Sequence, residues 1–209
     1  MLLLSLFRNP AEFVFFIVAI FLALSVHESA HAWTANLFGD PTAKQAGRIS
    51  LNPFAHLDPM GTLFLLLLGF GWGKPVPVNP NNFKEPKIDE LTVALAGPVS
   101  NLIFAAIFGL IIRFIPMPEI LTTFLYIVIL INLVLMTFNL LPIAPLDGSR
   151  MVSVFLSDKA YLIFQQCGMP LLLTLILLTY VGVPILSQIL NTVVGGVFRI
   201  LTGTNLTPF

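Results

Sequence analysis

A long apolar run, Phe13 to Phe38, has no charged residue except Glu28, which lies in the sequence His27-Glu28-Ser-Ala-His31. A run of this length predicts a membrane-spanning helix, in which ionisable groups are costly and indicate function. Residues four apart lie on one face of a helix, so the two imidazoles can hold one metal ion. Glu28 follows the first histidine, where a carboxylate can take a proton from a water molecule beside the metal.

The composition excludes a water-soluble fold. Of 209 residues, 57% are hydrophobic and only 10% are charged, whereas soluble domains carry about 25% charged residues. The formal net charge is zero, so no basic surface for nucleic acid is expected. The single cysteine, Cys167, excludes an intramolecular disulfide. We therefore expect an integral membrane protein.

Four apolar stretches are long enough to cross a bilayer, which needs about 20 residues of helix. They are Phe13 to about Phe38, Leu91 to Ile112, Ile120 to Leu146 and Ala160 to Phe198. The last stretch can form two spans, with the break at Gly182 and Pro184. Met60 to Trp72 is too short to cross and is predicted to be re-entrant or buried. The expected fold class is an all-α polytopic membrane protein with about four to six transmembrane or re-entrant helices.

Prolines shape the segment that follows, Gly73 to Pro80. They forbid a helix there, and the alternation of Val76 and Val78 favours a short β-hairpin, edge strand or extended segment near the histidines. We find no internal repeat, so residues 1–209 are expected to form a single membrane-embedded domain. Its core would span about residues 11–155, and its C-terminal helices about residues 160–205.

Basic residues in the loops predict the orientation of the chain, because cytoplasmic loops are enriched in lysine and arginine. Most of them fall in two loops, at Lys44, Arg48, Lys74, Lys84, Lys87, Arg150 and Lys159. This bias places the N-terminus outside and residues 39–90 and 147–159 in the cytoplasm. His31 and Asp147 would then lie toward the same, cytoplasmic side.

Two histidines leave a catalytic zinc ion one protein ligand short. Asp147 is the best-placed third ligand, because Pro142 and Pro145 unwind the helix before it and Gly148 allows a sharp bend after it. Asp58 is a weaker alternative. His56, in a loop rich in proline, is expected to be a loop or interfacial residue rather than a ligand.

Further segments accompany the histidine motif in a fixed order. They are Gly-Lys-Pro-Val-Pro-Val at 73–78, Ala-Gly-Pro-Val-Ser-Asn at 96–101, Asn132, Asn-Leu-Leu-Pro at 139–142 and Leu-Asp-Gly at 146–148. In this combination the chain resembles the site-2 protease family of intramembrane zinc metalloproteases over residues 20–155. It looks like a minimal core, without the PDZ-like insertion or the nucleotide-sensing domain of larger members.

The resemblance implies one zinc ion per chain, held by His27, His31 and Asp147, with Glu28 as the catalytic acid and base. Three asparagine amides are candidates for stabilising the oxyanion or lining a water path. They are Asn101, Asn132 and Asn139.

A substrate helix must unwind before it is cleaved, and the segment with Val76 and Val78 is a candidate for pairing with the unwound strand. The resemblance implies an endopeptidase that hydrolyses peptide bonds in or next to the transmembrane helices of single-span membrane proteins, as in regulated intramembrane proteolysis. The expected partners are these substrates and the lipid bilayer, with no nucleic acid. The expected location is a prokaryotic plasma membrane, with the active site toward the cytoplasm.

Two other functions fit parts of the pattern. A metal-binding transporter or channel would use His27 and His31 as a transit site, and a proteolytically silent homologue would only bind membrane helices. Glu28, next to the first histidine, has a role in hydrolysis and no particular role in transport. The motif therefore favours the protease.

Overall fold

The computed structural model describes residues 9–68 and 71–204. In chain order its α-helices are α1 (Pro10–Leu37), α2 (Thr42–Gln45), α3 (Pro59–Leu68), α4 (Pro86–Phe114), α5 (Glu119–Asn139), α6 (Ser149–Ser153), α7 (Asp158–Tyr180) and α8 (Ile185–Thr202). Short 3-10 turns cover Pro53–Ala55 and Pro80–Asn82. Helices α1, α4, α5, α7 and α8 are long and apolar enough to cross a membrane. The predicted all-α polytopic membrane protein is confirmed.

Glycine and proline set the ends of the later spans. The last apolar run divides into α7 and α8 at the predicted place, where Gly182 adopts a φ of +90° and Pro184 precedes α8. Helix α5 ends at Asn139, seven residues before the end of the apolar run. Proline has no N–H to continue the helical ladder, so Pro142 and Pro145 turn the rest of that run into a loop.

Helices α1, α4 and α5 pack against one another and form the centre of the molecule. Small buried residues on α1, among them Ala19, Ala23 and Ala35, let the neighbouring backbones approach closely. Ile129 and Leu133 of α5 are fully buried, and α8 packs against the same region. This tight three-helix centre gives the polar residues of α1 fixed neighbours.

Helix α3 has ten residues, which is about 15 Å of helix and half the thickness of a bilayer core. It folds back against the chain that follows it, where the rings of Phe64 and Trp72 lie 5.3 Å apart. A Cβ atom on Gly61 would overlap the backbone of Trp72. The segment therefore does not span the membrane as a helix, as predicted.

The described residues contain no β-hairpin. An isolated antiparallel bridge joins Leu57 to Gly73, and residues 74–79, here called the strap, run extended without a partner strand. Pro75 and Pro77 cannot donate to a strand ladder, which explains why the extended alternative forms. Whether a strand involves residues 69–70 lies outside the described part of the chain.

Candidate metal centre and active site

His27 and His31 lie one turn apart on α1, and both are buried. Their rings are nearly perpendicular, and their Nε2 atoms are 3.0 Å apart. The other ring nitrogen of each is held by α4: Nδ1 of His27 lies 2.7 Å from Oδ1 of Asn101, and Nδ1 of His31 lies 2.7 Å from the Val93 carbonyl oxygen. Helix α4 thus fixes the orientation of both imidazoles.

These contacts also determine where the protons are. The Asn101 amide nitrogen donates to the carbonyl oxygen of Ala23 and to Oδ1 of Asn132, so its own Oδ1 is an acceptor. A backbone carbonyl is likewise only an acceptor. Both histidines therefore donate from Nδ1, which leaves the two Nε2 atoms facing each other as the positions that can bind a metal.

Asp147 completes this arrangement from a distant part of the sequence. Its Oδ2 lies 3.1 Å from Nε2 of His27 and 3.3 Å from Nε2 of His31, and it is a buried oxygen without a hydrogen-bond donor. The loop that carries it is closed by a hydrogen bond from the Gly148 amide to the Asn139 carbonyl. This hydrogen bond places Asp147 next to the end of α5 and to the two histidines.

With both Nε2 atoms unprotonated, they and Oδ2 are three acceptors that repel one another unless a cation lies between them. The Nε2 atoms and Oδ2 form a triangle with sides of 3.0, 3.1 and 3.3 Å. Nitrogen and oxygen ligands of tetrahedral zinc lie about 3.3 Å from one another, because each is 2.0–2.1 Å from the metal. The donor set and its spacing fit a zinc ion with one position left open. Among the described residues, these three form the group suited to holding a metal ion.

Glu28 lines the same cavity of about 440 Å³ as His27, His31 and Asp147. One of its oxygens lies 4.0 Å from a guanidinium nitrogen of Arg48, which is buried. Burial lowers the pKa of the Arg48 guanidinium and the Glu28 carboxylate counteracts this, so the side chain stays positive at neutral pH. A cationic group therefore stands next to the carboxylate.

The three predicted amides fall in two different places. Asn101 and Asn132 are fully buried behind His27 and do not line the cavity. Asn139 lines the cavity, and its amide nitrogen donates to the Leu135 carbonyl oxygen. The carbonyl oxygen of Val128 accepts from Asn132 and completes the chain of bonds behind His27.

The structure also shows the surroundings of the other residues that the sequence analysis considered for the site. Val76 and Val78 both line the cavity. Asp58 accepts a hydrogen bond from the Gly61 amide at the start of α3, so its carboxylate has a local role. His56 is fully buried, and its Nε2 donates to the Ser50 carbonyl oxygen. It is a loop residue, as expected, but one that the fold encloses.

The sequence comparisons agree with this geometry. Peptidase family M50 matches residues 113–179, a segment that contains Asp147. YwhC of Bacillus subtilis, whose name assigns it to the zinc metalloproteases, is 46% identical over 147 residues, which cover 66% of this chain and 67% of YwhC. The chain belongs to peptidase family M50.

More distant relatives of this M50 peptidase are longer than it is. Rip2 of Mycobacterium tuberculosis, also named for a zinc metalloprotease, is 32% identical, with 65% of this chain covering 55% of Rip2. Zinc metalloprotease MJ0392 of Methanocaldococcus jannaschii is 26% identical, with 75% of this chain covering 38% of it. The M50 peptidase thus spans about half of these two proteins or less. No solved structure matches it at comparable significance.

The M50 peptidase also contains two buried charged residues that the sequence patterns did not single out as functional. Arg48 was counted only as a loop charge that sets orientation, and Asp40 follows α1 in a turn. Besides the nearer partners Thr42 and His56, they contact residues 26 to 42 positions away along the chain. No local motif signals such contacts, although a charge that is fully buried always needs partners.

Proposed function

We propose that this chain is an intramembrane zinc endopeptidase in which His27, His31 and Asp147 hold the metal and Glu28 is the catalytic acid and base. The observation that carries the proposal is the convergence of two Nε2 atoms and one carboxylate oxygen, all buried and within 3.3 Å of one another. Membership of family M50 and relatives named as zinc metalloproteases support it.

Zinc in such a site polarises the scissile carbonyl and lowers the pKa of water toward neutrality. Glu28 then accepts the proton of the attacking water and delivers it to the leaving amine. Asn139, on the cavity wall, is the amide best placed to stabilise the oxyanion. Asn101 acts behind His27, because it fixes the tautomer that presents Nε2.

The strap supplies the substrate-binding edge in this proposal. Val76 and Val78 line the cavity, and neither has a backbone hydrogen bond to another described residue. An unwound stretch of substrate can therefore pair with the strap as an added strand. This pairing would hold the scissile bond extended beside Glu28.

The substrates proposed are single-span membrane proteins, cleaved in or next to their transmembrane helix during regulated intramembrane proteolysis. The metal-ligand histidines lie on one of five membrane-length helices, so a substrate has to reach them within or at the edge of the bilayer. We further propose that one domain, residues 1–209, performs the reaction, and that its active site faces the cytoplasm of a prokaryotic cell.

The central test replaces Glu28 by glutamine in the purified protein in detergent. We expect E28Q to keep one zinc ion per chain and to lose cleavage of every peptide in a panel of single-span helices, by at least about a hundredfold. Glu12→Gln is the matched control, since Glu12 is an exposed acid on the same helix. Cleavage by E28Q at the wild-type rate would refute the assignment, and a metal-transit site would show zinc flux in vesicles without cleavage.

The orientation has its own test. Single cysteines are placed at Lys44 and at Met117, in a Cys167→Ser background, and labelled in intact cells with a membrane-impermeant maleimide. We expect labelling at position 117 and protection at position 44, because basic loops stay in the cytoplasm. The reverse pattern would place the active site on the outside.

A further inference from the structure

Two buried charged side chains hold the strap at its two ends. Arg48 contacts the carbonyl oxygens of Lys74 and Pro75, where the strap begins. Asp40 accepts a hydrogen bond of 2.7 Å from the Asn79 amide, where the strap ends. Both residues come from the short connection that follows α1. Neither belongs to the candidate metal centre, yet each is more than nine-tenths buried.

Arg48 has a fixed position because His56 supports it. Nε2 of His56 donates to the Ser50 carbonyl oxygen, which leaves Nδ1 as an acceptor that faces Arg48 at 3.4 Å. The backbone carbonyl of His56 also accepts from the Lys74 amide at 2.8 Å. The histidine therefore aligns both the guanidinium and the first residue of the strap, which explains why a histidine is enclosed here.

Asp40 is fully buried and satisfied by four donors. Two come from Thr42 in the same turn. The other two come from Asn79, the last residue of the strap, and from Asn82, three residues beyond it. The last donor is the Asn82 side chain, at 2.7 Å. These hydrogen bonds lower the pKa of Asp40 against the opposing effect of burial, so the carboxylate is charged at neutral pH. A charged acceptor makes the stronger hydrogen bonds.

The middle of the strap is not bonded by Arg48 or Asp40, so it is available to bind substrate. Both anchors bond to its ends, whereas Val76 keeps its amide and carbonyl free of bonds to described residues. Val78 packs against a buried cluster that contains Ala35, Phe83 and Val93, and this contact fixes the depth of the strap. Ala35 belongs to the same helix as the metal-ligand candidates. This packing sets the position of the strap relative to α1 and to the metal-ligand candidates on it.

We propose that Arg48 and Asp40 are positioning residues that hold the strap as a preformed strand edge for the substrate beside Glu28. The proposal rests on the proposed function of this site. Pre-ordering a binding edge reduces the entropy that is lost when substrate pairs with it. Arg48 has a second role that Asp40 lacks, since it stands 4.0 Å from Glu28 and orients that carboxylate.

The two roles predict different kinetics, measured with a quenched-fluorescence single-span peptide, the fastest-cleaved of the panel. In D40N, KM should rise about fivefold while kcat stays within about twofold, because only substrate binding loses its edge. In Arg48→Met, KM should rise and kcat should fall, each by about tenfold. Arg48→Lys keeps the charge but not the forked donor, so kcat should recover more than KM.

Lys44→Met is the matched control, because Lys44 is an exposed cation on α2 of the same connection. It should leave KM and kcat unchanged. Zinc content is measured for each variant. A loss of zinc in proportion to rate, at unchanged KM, would show a merely structural role and overturn the proposal. If Arg48→Met does not fold, D40N and Arg48→Lys decide the question.

Exchange of backbone amide hydrogens tests the anchoring of the strap independently of proteolytic activity. The amides of Lys74 and Asn79 bond to His56 and Asp40, so their exchange should accelerate at least about tenfold in Arg48→Met and D40N respectively. Unchanged exchange in both would refute the anchoring of the strap. If the wild type cleaves no peptide but exchange accelerates, the protease assignment and the substrate edge fail, while the anchors stand.

Discussion

The Cα atom of Gly97 faces the imidazole of His31 so closely that a Cβ atom at position 97 would lie 2.6 Å from its Cε1. The same atom would lie 2.7 Å from Cε1 of His27. Helix α4 therefore crosses α1 at the metal centre with no room for a side chain. The missing methyl group is what allows the backbone of α4 to reach both histidines.

Gly97→Ala is accordingly expected to disrupt the metal centre. The methyl group must displace one or both imidazoles, and metal affinity falls steeply when ligands move by a few tenths of an ångström. We expect zinc affinity to decrease by at least about tenfold, measured by competition with a chromogenic chelator. Gly195→Ala is the control, because a Cβ there has nothing within 4 Å. Full zinc binding by Gly97→Ala would contradict the geometry described here.

Asn101→Ala should weaken zinc binding without touching a ligand. The substitution removes the acceptor that keeps the His27 proton on Nδ1, and it also leaves Asn132 without its donor. Loss of such an orienting partner typically costs a factor of about 10–100 in metal affinity. The exposed Asn191→Ala is the control. Equal zinc affinity in both variants would mean that Asn101 serves only to pack α4 against α1.

Val76→Pro and Val78→Pro test the substrate edge directly. Each removes an amide from the strap, and we expect cleavage to slow by about tenfold or more while zinc content stays the same. Val76→Ala keeps the amide and should cleave at nearly the wild-type rate. Unchanged cleavage by both proline variants would exclude strand pairing at these positions, even if the protein is a protease.

The Asp40 carboxylate should make stability depend on pH. Its pKa is lower in the folded protein than the ordinary value of 3.8, so its stabilising effect is complete above that value and disappears as the pH falls through the folded pKa. We expect the gap in unfolding free energy between the wild type and D40N to be constant from pH 5 to pH 7 and to shrink in stronger acid. Chemical unfolding in detergent measures it, with the exposed Asp158→Asn as control. A gap that grows in acid would contradict the lowered pKa.

The sequence predicted much of the architecture because bilayer spans are long and free of charge. The five membrane-length helices, the break at Gly182 and Pro184 and the failure of α3 to span follow from apolar length and from proline. Helix α5 ends at Asn139, before the end of the apolar run, in agreement with the predicted unwinding at Pro142 and Pro145. Of the forms predicted for residues 73–80, the described residues show the extended segment and no hairpin, since a strand needs a partner with free donors.

The identity of the metal-ligand candidates came from the sequence alone, because two histidines four residues apart in an apolar helix have few other uses. Only the tertiary structure decided how they are arranged. Asp147 reaches them because its loop folds back on Asn139, and their tautomers depend on acceptors in α4. The contacts of Arg48 and Asp40 with the strap also could not be predicted from the sequence. A buried charge is stabilised by whatever the fold brings to it, and those partners are set by packing, not by spacing along the chain.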